Sequence, residues 1–149
     1  MNSFRKAAVL AASLSFAFAA VPALAQSDPF IGGDYVDVAS ITIDDGHYLD
    51  YANFLATKWR DEQEYGKKQG WITGYEVLAN AHKRPGEPDL MLITRYKAMP
   101  DGAEGDRRNK LFLAHSQATD VAMQAASGDR AKYRHVIGNQ LLQVMSFRK

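Results

Sequence analysis

The sequence predicts an α+β domain in which four strands and two helices follow the order β-α-β-β-α-β. Three observations predict it. Two strands, Trp71 to Lys83 and Asp89 to Met99, are joined by the turn Arg84 to Pro88, which holds two prolines and a glycine. Helical periodicity flanks this hairpin, and runs of β-branched residues begin and end the domain. Because a hairpin alone is not stable in water, the helices are expected to cover it.

The first 25 residues are interpreted as a secretory signal peptide that is not part of the domain. Arg5 and Lys6 form a basic start, Ala7 to Ala20 is an apolar run, and Ala23 to Ala25 is a small-x-small cleavage site. The apolar run is shorter than the roughly 20 residues that a bilayer-spanning helix needs. We therefore expect a mature chain from Gln26 that is periplasmic or secreted, with no stable membrane insertion after cleavage. An uncleaved short anchor is the alternative.

A flexible leader is predicted over residues 26–33, and a single domain over residues 34–149. The first strand is expected at Tyr35 to Ile43, where β-branched residues are dense and no breaker occurs. From His47 to about Gln69 the apolar residues fall at helical spacing, which predicts an amphipathic helix that ends at Gly70.

The second helix and the last strand complete the domain. The helix is predicted to begin near Glu104 or Asp106 and to end by Ser127-Gly128, and the strand is predicted at Val136 to Phe147 with a bulge or bend at Gly138. This order of elements is the ferredoxin-like arrangement. Right-handed crossovers place both helices on one face of a four-stranded antiparallel sheet. Since the second face is not strongly polar, we expect it to be covered by a second copy of the chain.

Composition narrows the classes of function. Without Arg5 and Lys6, the 18 basic residues of the chain become 16 against 17 acidic residues, so the mature net charge is −1. Nucleic-acid binding is therefore not expected. The chain has no cysteine, which excludes disulfides and thiolate sites. Its four histidines lack the short spacings of a zinc site, and metal binding is not expected.

The order of elements, the length and the core from Trp71 through the hairpin to Tyr96 resemble the dimeric α/β barrel superfamily. That superfamily includes cofactor-free antibiotic-biosynthesis monooxygenases and haem-degrading monooxygenases. The resemblance covers nearly all of residues 34 to 147 and implies a homodimer whose sheets pack into a barrel. His115 resembles a haem-ligating histidine in kind, whereas Asn53 and Trp59 are only loose counterparts of the haem-degrading pattern.

Seven residues form the candidate functional site. His115 and Arg95 are the candidate catalytic residues, the first for proton transfer and the second for orienting a substrate or stabilising an oxyanion. The candidate ligand-binding residues are Tyr75, Tyr96, Glu76, Trp59 and Asp37. Each of these residues also has a structural alternative. His115 would be a histidine at the edge of the core, and Arg95 would be the ion-pair partner of Glu76 or Asp37. The aromatic residues would serve in packing.

Three functions follow as hypotheses. The first is an exported homodimer that binds a small apolar or aromatic molecule without a cofactor, as a cofactor-independent monooxygenase or isomerase or as a binding protein. The second is a haem-binding protein that uses His115. The third is a non-catalytic interaction protein of the cell envelope. The sequence does not decide whether the protein is an enzyme.

Overall fold

The computed structural model describes residues 28–149, and it contains one antiparallel sheet with the strand order β2-β3-β1-β4. The elements are β1 (Phe30–Ile43), α1 (Tyr48–Phe54), a π-helical segment (Leu55–Trp59), α2 (Arg60–Lys68), β2 (Gly74–Ala79), β3 (Leu90–Tyr96), α3 (Gly102–Ser116), α4 (Asp120–Arg130) and β4 (Arg134–Phe147). The predicted α+β class is confirmed, and the strand order is compatible with a ferredoxin-like fold. The predicted signal peptide, residues 1–25, lies outside the described residues.

Strand β1 begins at Phe30, five residues before the predicted start. Phe30 to Gly32 pair with β4, so the part of the leader after Pro29 belongs to the sheet. The Phe30 and Phe147 rings lie 5.2 Å apart at the end of this pairing. The register shifts between Ser40 and Ile41, where Ser40 faces Gly138 and Ile41 faces Val136. This shift is a β-bulge on β4, and it confirms the irregularity predicted at Gly138.

The helix predicted over His47 to Gln69 is one continuous helical element, but it changes type in the middle. The five residues from Leu55 to Trp59 form π-helical turns, with α1 before them and α2 after them. The element ends at Gly70, which has a φ of +71°. This is the left-handed conformation for which glycine is favoured at the end of a helix.

The second predicted helix is two helices, so the expectation of a single helix is wrong. Gln117 adopts a left-handed conformation, φ 49°, and ends α3. Thr119 then caps α4 by accepting a hydrogen bond from the Ala122 N–H. The threonine followed by Asp120 is the local signal for this break. None of the helices within residues 28–149 is long and apolar enough to cross a membrane.

The hairpin is confirmed, with shorter strands than predicted. Residues of β2 and β3 pair in register from Gly74 with Arg95 to Ala79 with Leu90. The connection holds the predicted turn, in which the Glu87 N–H bonds to the Arg84 carbonyl and Gly86 has a φ of +83°. The Glu87 carboxylate also accepts from the Arg84 backbone and side chain.

The core lies between the first helical element and one face of the sheet, which we call the helix face. Tyr51 and Leu55 pack against three strand residues, Ile41, Leu90 and Leu92. Because side chains alternate along a strand, the pairing register places Asp37, Tyr75, Thr94, Tyr96 and Leu141 on the helix face. The same register places Val38, Glu76, Ile93, Arg95 and Leu142 on the opposite face, which we call the second face.

Candidate functional site

A cleft lies between the first helical element and the β2 edge of the helix face, and we call it the first cleft. Its volume is about 410 Å³, within the range of small-molecule sites. Its walls are mostly apolar and are formed by Tyr48, Ala52, Leu55, Ala56, Trp59, Arg60, Tyr75, Val77, Ala79 and Leu90. Three of these residues are alanines, and the space exists because no large side chain fills it from those positions.

The π-helical segment forms one wall of this cleft. Leu55, Ala56 and Trp59 belong to that segment and line the cleft. A π-helical turn inside an α-helix is rare and frequently occurs at functional sites. The irregular backbone and the cleft therefore coincide at the same residues.

The polar groups of the first cleft gather at one end. The Tyr75 hydroxyl donates to Glu64 Oε1 at 2.5 Å, and the ring packs edge-on against Trp59 with centroids 5.4 Å apart. The bond to Glu64 raises the pKa of Tyr75, while the neighbouring Arg60 opposes that shift. Tyr75 is therefore neutral at pH 7, and Arg60 is the cation at the wall of the cleft.

A second cleft lies between α2, β3 and α3, with a volume of about 340 Å³. Its lining combines aromatic and polar side chains: Glu62, Gln63, Gly66, Trp71, Ile72, Thr94, Tyr96, Met99, Pro100, Arg108 and Phe112. Burial raises the pKa of the Glu62 carboxyl. Burial and the charge of Asp37 raise the pKa of the Tyr96 hydroxyl. Shifted pKa values in a cavity are typical of functional sites.

The structure divides the seven candidate residues among five places. Trp59 and Tyr75 meet in the first cleft, and Tyr96 lines the second cleft. Asp37 lies on the helix face, where its charge acts on Tyr96. Tyr75 pairs with Thr94 and Tyr96 pairs with Tyr35, so the two tyrosines are not cross-strand partners.

Arg95 and Glu76 are on the second face, away from the two clefts. Arg95 donates to Glu76 at 2.6 Å, and both side chains are almost half exposed. This ion pair is the structural alternative for Arg95. An exposed pair of this kind contributes about 0.2–1 kcal/mol to folding stability.

His115 lies in the groove between α2 and α3. Its Nε2 is 2.9 Å from Asp61 Oδ2, and its ring stacks on Tyr65 with centroids 4.0 Å apart. A shallow cavity beside it is lined mainly by polar and charged residues, among them Glu64, Lys68 and Gln69. His115 and Arg95 are on opposite sides of the sheet, so they do not share a site within one chain.

Sequence reasoning missed most of the residues that line the clefts. Ala52 and Ala56 are small residues four apart on a helix otherwise rich in large ones, and that spacing was a usable signal for space above the sheet. Glu62 is half-buried and lies three residues after Trp59, on the same side of the helix. A carboxylate at such a position was the available signal for the second cleft. The π-helical segment has no recognised signal in the sequence.

No group of three or more metal-ligating side chains of the His, Asp, Glu or Cys type is present within residues 28–149. Comparisons of the chain with protein-family models, with curated proteins and with solved structures find no match. The resemblance to the dimeric α/β barrel superfamily therefore stays a prediction. Only the geometry of the clefts bears on function.

Proposed function

We propose that this protein binds a small apolar or aromatic molecule in the first cleft. The single observation that supports this most is the coincidence of the π-helical segment with an apolar space of about 410 Å³. The cleft opens to solvent while its lining is mostly apolar. A concave apolar surface with a few polar groups is what small-molecule sites have in common.

The chemistry of the walls specifies the ligand further. Alanine, leucine and valine side chains favour an apolar body, and the Trp59 and Tyr75 rings favour an aromatic one. The Tyr75 hydroxyl already donates its proton to Glu64, so Arg60 is the donor at this end of the cleft, and the ligand carries a carbonyl or anionic group that faces it. The first cleft is proposed as a binding site, and no catalytic step is assigned to it.

The homodimer is part of this proposal. Leu78, Leu142 and Val144 are on the second face, and each is between two-fifths and half exposed. Val38 and Ile93 form the buried middle of the same face. A second copy that packs its own second face here would remove the exposed leucines from water.

Export also stays a proposal, and its test is the mass of the mature chain. The protein is expressed in a bacterial host with the protein's own N-terminus. The chain recovered from the periplasmic or extracellular fraction is expected to begin at Gln26. An Ala25→Asp variant is the control, because a charge at the cleavage position blocks processing. A wild-type chain that keeps Met1 in that fraction would contradict the proposal.

Filling the first cleft tests the binding proposal. Anilinonaphthalene sulfonate combines an aromatic body with an anionic group, and its fluorescence reports binding. We expect Ala52→Leu to weaken this binding at least tenfold, because the added isobutyl group occupies the space that the ligand needs. The measurement is the dissociation constant from a fluorescence titration.

The matched control is Ala114→Leu, at an exposed position on α3. This variant adds the same group to a helix but outside the cleft, and its dissociation constant is expected to equal that of the wild type. Equal affinities of Ala52→Leu and wild type would refute the proposal. Native mass spectrometry of the purified protein then identifies any natural ligand by its mass.

Haem binding through His115 is the second hypothesis, and it has less support than the first cleft. His115 Nε2 is 2.9 Å from the Asp61 carboxylate, so Nδ1 is the nitrogen that would ligate iron, and haem needs an apolar slot beside it. The surroundings on α2 are charged or polar. The interaction-protein hypothesis has no specific observation in its favour.

A further inference from the structure

The second cleft is separate from the first, although both lie on the helix face. The first cleft is on the β2 side of the helical element, and the second is between α2 and α3 above β3. No lining residue belongs to both. A ligand of the second cleft is therefore independent of the function proposed above.

Glu62 is the group of the second cleft that lacks a partner. Its carboxylate takes part in none of the ion pairs and side-chain hydrogen bonds found along residues 28–149. The charges that act on it from a distance are Lys58 and Asp61 on its own helical element, His115 on α3 and Arg130 on α4. Desolvation outweighs them and raises the pKa of this carboxyl. Its oxygens are not among the buried side-chain atoms without a hydrogen-bond partner, so water reaches them, and a ligand hydroxyl can take the place of that water.

The other polar groups of the cleft are already engaged or are neutral donors. Arg108 donates to Glu104 at 2.6 Å, and its guanidinium lies 5.7 Å from the centre of the Trp71 ring. Thr94 is buried, and its hydroxyl is 3.4 Å from Gln63 Oε1. An anionic ligand would meet Glu62 and a cationic one would meet Arg108, so the charges favour a neutral ligand.

The walls favour an aromatic ligand. Trp71 and Phe112 offer ring faces and edges, and Met99 adds a polarisable thioether. Tyr96 lines the same space, and burial and the charge of Asp37 raise the pKa of its hydroxyl. Glu62 is the acceptor of the cleft for a hydroxyl on the ligand.

We propose that the second cleft binds a neutral aromatic molecule that carries a hydroxyl group, with the hydroxyl donating to the Glu62 carboxylate. The site holds the phenol in its protonated form, because the negative carboxylate opposes formation of a phenolate beside it. Trp71 and Phe112 contact the ring.

The test uses para-nitrophenol, whose ionised form is yellow and whose neutral form is not. Near neutral pH, where both forms are populated, addition of the wild-type protein is expected to decrease the yellow absorbance to a saturating level. In Glu62→Gln the decrease is expected to vanish, or to need at least tenfold more protein. The amide has the shape of the carboxylate and removes a desolvated charge, so this variant retains the fold.

Two controls make the result specific. Glu87→Gln makes the same glutamate-to-glutamine change in the turn between β2 and β3. This variant is expected to decrease the yellow absorbance as the wild type does. Para-nitroanisole, which has no hydroxyl, is expected not to compete. An undiminished effect in Glu62→Gln would overturn the proposal. An effect abolished by Ala52→Leu and retained in Glu62→Gln would also overturn it, by placing the phenol in the first cleft.

Discussion

Replacing Tyr51 by alanine is expected to lower the free energy of unfolding by about 3–5 kcal/mol, the cost of removing a large buried aromatic side chain. Tyr51 is 2% exposed and is among the largest fully buried side chains. Its ring stacks on Phe54 and packs in the cluster of Ile41, Leu55 and Leu90. Alanine would leave a cavity where the first helical element meets the sheet. Since small domains have about 5–15 kcal/mol of stability in total, the loss is a large fraction of it.

Urea denaturation followed by circular dichroism measures this effect. The matched variant is Tyr51→Phe, which keeps the ring and removes only the hydroxyl. No hydrogen bond of this hydroxyl is found among residues 28–149, so the cost is expected to be below about 0.5 kcal/mol. A Tyr51→Ala variant as stable as Tyr51→Phe would show that the helical element is not anchored to the sheet by this ring. The positions of both clefts depend on that anchor.

Replacing Leu142 by aspartate is expected to dissociate the proposed homodimer, with a dissociation constant raised at least a hundredfold. Leu142 is 49% exposed in the isolated chain and lies on the second face. In a dimer formed through that face, the new carboxylate would be buried without a partner. An uncompensated buried charge costs about 3–5 kcal/mol, which corresponds to a change in affinity of more than a hundredfold.

Leu141 supplies the control for this prediction. It is the neighbouring residue, it is 51% exposed, and it points to the helix face. Leu141→Asp therefore has the same chemical change and the same initial exposure, but the dimer is expected to persist. Light scattering over a range of protein concentrations measures both. If both variants or neither dissociated, the second face would not be the dimer interface.

Local signals in the sequence were sufficient for the four strands and for the first helical element, but not for the division of the second predicted helix. Two prolines and a glycine between two β-rich runs specify the hairpin, because these residues favour turn conformations and interrupt strands. The change from alternating to helical spacing after Asp45 predicts the first helical element in the same way. The break at Gln117 was missed because its alanine-rich surroundings favour a helix on both sides, and the cap at Thr119 is a weaker signal.

The pairing register of the strands places the candidate residues on two different faces of the sheet, and the residue types alone do not reveal this. Tyr75 and Glu76 are neighbours on β2, and Arg95 and Tyr96 are neighbours on β3. Successive side chains of a strand point to opposite faces, so one cavity cannot hold both members of either pair. Strand alternation separates these residues into two groups, but it does not specify which group the helices cover.

The hairpin, the helical segments and with them the α+β class depend on interactions between residues close together in the chain, and local patterns therefore predict them. The positions of the two clefts depend instead on how the elements pack. Trp59 and Tyr75 become neighbours through the packing of the helical element on the sheet, and Glu62 and Tyr96 face one cleft for the same reason. The space at Ala52 and Ala56 also depends on the distance between layers, which no local pattern encodes.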